Sequence, residues 1–160
     1  MPAHATVANF ARVLSETSFP IYFRNSVVVS VATVALTLSV SAVGAYGLTR
    51  FRFAGREQVA GLILLTYMFA PIMIIIPFYV LMRSLKLVNT HAGLVLAYTA
   101  FCLPFALWLL RTFFQSIPLE LEEAAMTDGA SRAQTVLRVL LPLALPGVVA
   151  TGTFTFILAW

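Results

Sequence analysis

The chain has 160 residues, 61% hydrophobic and 10% charged, with a net charge of +4 and a mean hydropathy of +0.95. Soluble domains carry about 25% charged residues, so this balance excludes a soluble enzyme, and ten Lys+Arg spread through loops leave no dense basic patch for nucleic acid. One cysteine, Cys102, allows no disulfide within these residues, and His4 and His91 lie too far apart in sequence to suggest a zinc cluster.

Four windows hold no Asp, Glu, Lys or Arg: Asn25–Thr49, Gln58–Met82, Leu87–Leu110 and Val139–Trp160, of 25, 25, 24 and 22 residues. A helix needs about 20 apolar residues to cross about 30 Å of hydrocarbon. Each window meets that length, so the fold class expected is an all-α membrane protein with polytopic transmembrane helices.

Met1–Arg24 is mixed and polar, without the basic start and apolar stretch of a cleavable signal, and a short amphipathic helix is expected around Val7–Leu14. The first span is expected at 26–48. Its Val, Ala, Ser and Thr would suit a strand in water, but only helices and closed barrels satisfy their backbone in lipid. Its small residues permit close helix packing. A tight basic loop, Thr49–Glu57, carries Arg50, Arg52 and Arg56.

The second span, 59–82, contains Pro71 and Pro77, and the third, 91–110, contains Pro104 and ends near Trp108. Prolines bend such helices and are tolerated where neighbours satisfy the freed carbonyls. The fourth span, 140–160, carries Pro142 and Pro146. With four crossings, Thr49–Glu57 and the long polar loop at 111–139 share one side with six Arg, against four Lys+Arg on the other. The positive-inside rule puts the richer side in the cytoplasm. The whole chain reads as one transmembrane domain.

The long loop reads as helix, turn, helix. Pro118 suits the first helical position, and Glu120, Glu122 and Glu123 suit the positive end of the helix dipole. Asp128-Gly129 ends this helix of about 11 residues, since Gly takes a left-handed conformation freely. Ser131 with Gln134 three positions on predicts a capping box for the second helix. A helix so short is marginal alone in water. Leu121, Ala124, Ala125 and Asp128 share one shallow face beside a polar stripe of Glu120, Glu123 and Thr127. On spacing alone, a solvated helix packed on its own protein is favoured over a partner site.

The wording of the segment adds a second line of argument. Glu123-Ala124-Ala125, then Gly129 after three residues, then Val139, Leu141 and Pro142, resembles the cytoplasmic signature loop of ABC importer permeases, with Val for the commoner Ile. Asn25-Ser26, the run from Ala45 to Arg56, Leu87-Val88-Asn89-Thr90 and Ile117-Pro118 are similar to carbohydrate permeases of the maltose type. The resemblance covers nearly the whole chain.

It implies a transport subunit that is not itself an enzyme. The signature loop would dock on a cytoplasmic ABC ATPase subunit, which holds ATP and magnesium, through Glu123, Ala124, Ala125 and Gly129, with Pro142 shaping the start of the next span. It also implies a second permease subunit, an extracytoplasmic solute-binding protein, and a place in the bacterial cytoplasmic (inner) membrane as a multi-pass protein. Family members carry further spans, so the chain looks like a fragment of about four spans from a permease with roughly six.

Other classes fit less well. Ion-coupled carriers place ionisable residues at membrane depth, and the four windows hold none beyond His91. The single lysine, Lys86, lies outside any Gly-rich phosphate loop, so ATP hydrolysis belongs to a partner. No catalytic, cofactor-binding or metal residues are expected. Ser26, Ser30, Ser39 and Ser41 lack a nearby base for intramembrane hydrolysis and read as packing residues. Tyr46, Tyr67, Tyr98, Thr99 and Trp108 suit a sugar path, although packing explains them equally well. The alternatives are an importer of a non-sugar solute and a membrane scaffold or non-transporting remnant.

Overall fold

The computed structural model describes residues 13, 15, 17–68 and 71–160, and among them every regular element is helical. In chain order these are α1 (Phe19–Arg50), α2 (Arg56–Met68), α3 (Pro71–Ser84), α4 (His91–Ser116), α5 (Leu119–Thr127), α6 (Arg132–Thr135), a π turn (Val136–Leu140), α7 (Leu141–Leu143) and α8 (Leu145–Ala159). The helix expected around Val7–Leu14 lies outside the described residues apart from Val13.

The first span is longer than its charge-free window. Pro20 lies in the first turn of α1, where its missing N–H costs nothing, and Arg50 occupies the last turn beside the negative end of the dipole. The result is 32 residues rather than the 23 of 26–48. The third span is also extended, from 91–110 to His91–Ser116. Thr90 caps it by accepting from the Gly93 N–H at 3.0 Å, and Pro104 is absorbed without ending the helix. Gly93 is required there: a Cβ would run into the Leu87 carbonyl.

The other two spans are broken. α2 and α3 are bent against each other by 98°, and the segment from α6 to α7 is bent by 80° against α8. Among the described residues two helices, α1 and α4, are therefore long and apolar enough to cross a membrane alone, and up to four spans result if each bent pair counts as one. In the last pair the cause is local. Pro142 and Pro146 cannot donate to the carbonyls four residues back. The backbone widens into the π turn, where the Leu141 N–H bonds the Val136 carbonyl, and then breaks at Ala144.

α1, α4 and α8 form the centre of the bundle. One seam of α1 is small and hydroxylated: Ser30, Thr33, Thr37, Ser41 and Ala45 are fully buried, at spacings of three and four. Small side chains let backbones approach where lipid gives no hydrophobic advantage to association. At the charged end of the bundle Phe114, Leu110, Leu140 and Ala144 close a core around Ala45.

Candidate functional site

The loop resembling the importer signature folds much as its residues dictate. α5 is a nine-residue helix, and Pro118 stands one position earlier than expected, as the extended residue (φ −57°, ψ 136°) that precedes Leu119. Pro118 thus turns the chain into the helix instead of opening it. Gly129 ends the turn at φ +92°, in the left-handed region, with no atom near the position a Cβ would take. The capping box is complete: the Gln134 N–H donates to Ser131 Oγ at 3.3 Å, and the Ser131 N–H donates to Gln134 Oε1 at 2.8 Å. The second helix, α6, is only four residues long, because the π turn that precedes Pro142 replaces its continuation.

The signature residues face outward. Glu123, Ala124 and Gly129 are exposed and Ala125 is half-buried. Leu121 and Asp128 on the shallow face, and Glu120 and Thr127 on the polar stripe, are exposed as well. Val139 and Leu141 are half-buried and Pro142 is exposed, at the junction of the π turn and α7. The alanines keep the outer surface of α5 low, so a second protein surface can come close to the helix backbone.

Glu122 is the exception. It is 1% exposed and receives Arg50 Nε on Oε1 at 2.5 Å. The same guanidinium donates from Nη2 to the Ile117 carbonyl at 3.0 Å. A second ion pair lies nearby, where Arg111 Nη2 donates to both Glu57 carboxylate oxygens at 2.7 Å. The Arg111 guanidinium holds the Glu57 carboxyl below the usual carboxylate value of 4.5, with smaller help from Arg56. Both pairs escaped the sequence reading, which placed Arg50 and Arg111 in loops and used Glu122 only as a dipole residue. The available signal was that Glu122 belongs to neither stripe of α5. It lies on the third face, with Leu119 three positions before it and Met126 four after.

The residues weighed for a sugar path are not gathered. Tyr46 packs edge-on against Phe51, Tyr67 and Trp108 both lie against Phe105, and Thr99 is buried. Tyr98 alone of the five lines a mixed, largely apolar cavity of about 280 Å³, with Tyr22, Asn25, His91 and Trp160, at the end of the bundle opposite α5. Among the described residues no group of His, Cys, Asp and Glu is arranged to hold a metal ion.

Comparison with known proteins shows the family of the chain. A diacetylchitobiose uptake system permease of Streptomyces coelicolor is 36% identical over 100% of this chain and 53% of its own length. The trehalose/maltose transport system permease of Thermococcus litoralis is 36% identical over 98% of this chain and 57% of its own. The crystal structure of a bacterial ABC transporter involved in import of the acidic polysaccharide alginate matches with a TM-score of 0.86 at 31% identity, covering 100% of this chain and 56% of that one. The chain spans about half the length of these two curated relatives, 53% and 57%. Residues 39–160, which include both ion pairs and the whole signature loop, match the model of one family. The chain belongs to the binding-protein-dependent transport system inner membrane components.

Proposed function

We infer that this chain is the transmembrane permease subunit of an ATP-driven importer of carbohydrates, crossing the cytoplasmic membrane four times over these residues. In this reading 111–139 is a cytoplasmic coupling loop, and α5 docks on an ABC ATPase subunit through Glu123, Ala124, Ala125 and Gly129. Pro142 shapes the start of the following span. The partner ATPase holds ATP and magnesium. A second permease subunit completes the pathway, and an extracytoplasmic binding protein delivers the solute.

The observation that carries the reading is the outward presentation of the signature. Glu123 and Ala124, with Ala125 half-buried beside them and Gly129 exposed in the turn that follows, form a shallow surface on a helix too short to be stable alone, at the end of the bundle where the basic residues collect. The carbohydrate assignment is supported by the relatives named for diacetylchitobiose and for trehalose and maltose.

The test is a detergent pull-down of the full-length protein co-expressed with its neighbouring ABC ATPase, followed by uptake of di- and oligosaccharides into proteoliposomes. Retention of the ATPase together with ATP-dependent sugar uptake is the expected result. Retention without uptake of any sugar points to a non-sugar solute. A properly inserted protein that retains no ATPase points to a scaffold or non-transporting remnant.

A further inference from the structure

The attachment of α5 to the membrane helices is unusual in its chemistry. Its only buried residue is Glu122, while Leu119 on the same face is 42% exposed and Leu121 is 45% exposed. Its apolar side chains are exposed or, for Ala125 and Met126, half-buried. Instead Arg50, the last residue of α1, reaches across with one planar guanidinium. It binds the Glu122 carboxylate through Nε and the Ile117 carbonyl, in the turn between α4 and α5, through Nη2.

A buried ion pair gives up in desolvation much of what it gains in attraction, and apolar residues hold two surfaces together as well or better. What the pair adds is direction, because a guanidinium binding two acceptors at once fixes an angle as well as a distance. The two adjacent carboxylates of α5 also divide. Glu123 is exposed, while Glu122 is closed off against Arg50. α1 in turn packs along α4 and α8, so its charged end is continuous with the centre of the bundle.

We propose that Arg50 and Glu122 are positioning residues that pass displacement of α5 into α1, a role that rests on reading α5 as the ATPase-docking helix. Neither residue touches the ATPase or the solute. Their pairing sets the angle between the docking helix and the bundle, so that closure of the ATPase subunits moves α1 rather than sliding α5 over it.

The test uses the full-length permease reconstituted with its second permease subunit, ATPase and binding protein. The variants are the double substitution Arg50→Met with Glu122→Leu, which leaves no unpaired charge, and the isosteric Glu122→Gln. Three quantities are read: membrane insertion, ATPase co-purification, and solute moved per ATP hydrolysed. Both variants are expected to insert and to retain the ATPase, while solute moved per ATP falls by about fivefold to tenfold. A merely structural staple would be restored by the apolar pair, so a double variant with the unmodified ratio overturns the proposal. Loss of the ATPase from a properly inserted variant also overturns it, since the pair would then shape the docking face. Should the double variant fail to insert, Glu122→Gln decides by the same two criteria. Failure of the unmodified protein to retain ATPase is a separate result, and it removes the docking reading itself.

Discussion

Arg50 and Glu122 stand 72 positions apart in the chain, and the Arg50 Nε meets Glu122 Oε1 at 2.5 Å with both side chains almost wholly out of solvent. Arg111 and Glu57, 54 positions apart, make a second tie between α4 and the start of α2. The basic residues at this end of the bundle therefore do more than set topology. Two of them join helices that sequence separation would never bring to mind.

Removing Glu122 alone is expected to be costly, because Arg50 remains with its side chain 10% exposed and no carboxylate to meet it. Stranding a buried charge costs about 3–5 kcal/mol, whereas replacing both members by apolar groups is often neutral. Glu122→Ala should therefore melt at a clearly lower temperature in detergent than the double substitution Arg50→Met with Glu122→Leu. Equal melting temperatures would mean that Arg50 finds another acceptor.

Glu57 gives a pH dependence of defined sign. Its carboxyl titrates below 4.5 in the folded protein, chiefly through the Arg111 hydrogen bonds. A group with a depressed folded value stabilises above its unfolded value and loses that stabilisation as pH falls through the folded one. Stability in detergent should decline as pH is lowered beneath 4.5, and Glu57→Gln should be less stable at neutral pH but flatter over that acid range. Because Glu57 is 64% exposed, added salt should reduce the difference. Parallel acid profiles for the two proteins would show that Glu57 contributes nothing.

The parts legible in the sequence were those governed by local rules. Charge-free length located the apolar segments, Gly129 marked a left-handed turn, and Ser131 with Gln134 specified a capping box that is present in full. Span boundaries were less legible, because absence of charge marks what tolerates lipid and not where hydrogen bonding stops. Arg111 illustrates the difference: a charge that closes the third window lies inside α4, buried, and paired from another helix. The break at Ala144 was half visible. Pro142 and Pro146 predicted disturbance, but whether two prolines kink or divide a helix depends on what packs beside them. The inward face of α5 was invisible for a further reason, since its partner Arg50 comes from α1 and only the tertiary fold supplies it.

Gly147 tests how closely α8 packs on α4. A Cβ at this buried position would fall within the ring and Cβ of Phe113, atoms too near the backbone to swing aside. Gly147→Ala should destabilise by about 1–3 kcal/mol through overpacking. Gly61, helical and with no atom near its Cβ position, is the control. Gly61→Ala should be neutral or stabilising, by up to about 1 kcal/mol. The check is the melting temperature of both variants in one detergent, and equal shifts would contradict the α4–α8 packing described above.

Glu123→Ala separates the exposed carboxylate from the buried one beside it. Among the described residues the Glu123 carboxylate enters no ion pair, and the Thr127 hydroxyl donates to the Glu123 backbone carbonyl at 2.9 Å. The substitution should leave stability within about 0.5 kcal/mol of the unmodified protein, as surface changes usually do. On the proposed docking role it should weaken ATPase retention or transport-linked ATP hydrolysis. Unchanged ATPase activity in reconstituted vesicles would remove Glu123 from the docking surface.

The turn after α5 provides a graded series at one position. Gly129 holds φ +92° with open space around its Cβ position, so any effect of substitution comes from the backbone and not from a clash. Asn tolerates left-handed conformations better than other residues, Ala less well, and a β-branched residue worst. Forcing an ordinary L-residue into this region costs roughly 1–2 kcal/mol, enough to unseat a turn between helices of nine and four residues. Membrane insertion should be unaffected throughout. ATPase retention in a pull-down should fall in the order Gly129, Gly129→Asn, Gly129→Ala, Gly129→Val, with Val abolishing it. If Gly129→Val retains the ATPase as well as the unmodified protein does, the geometry of this turn has no part in docking.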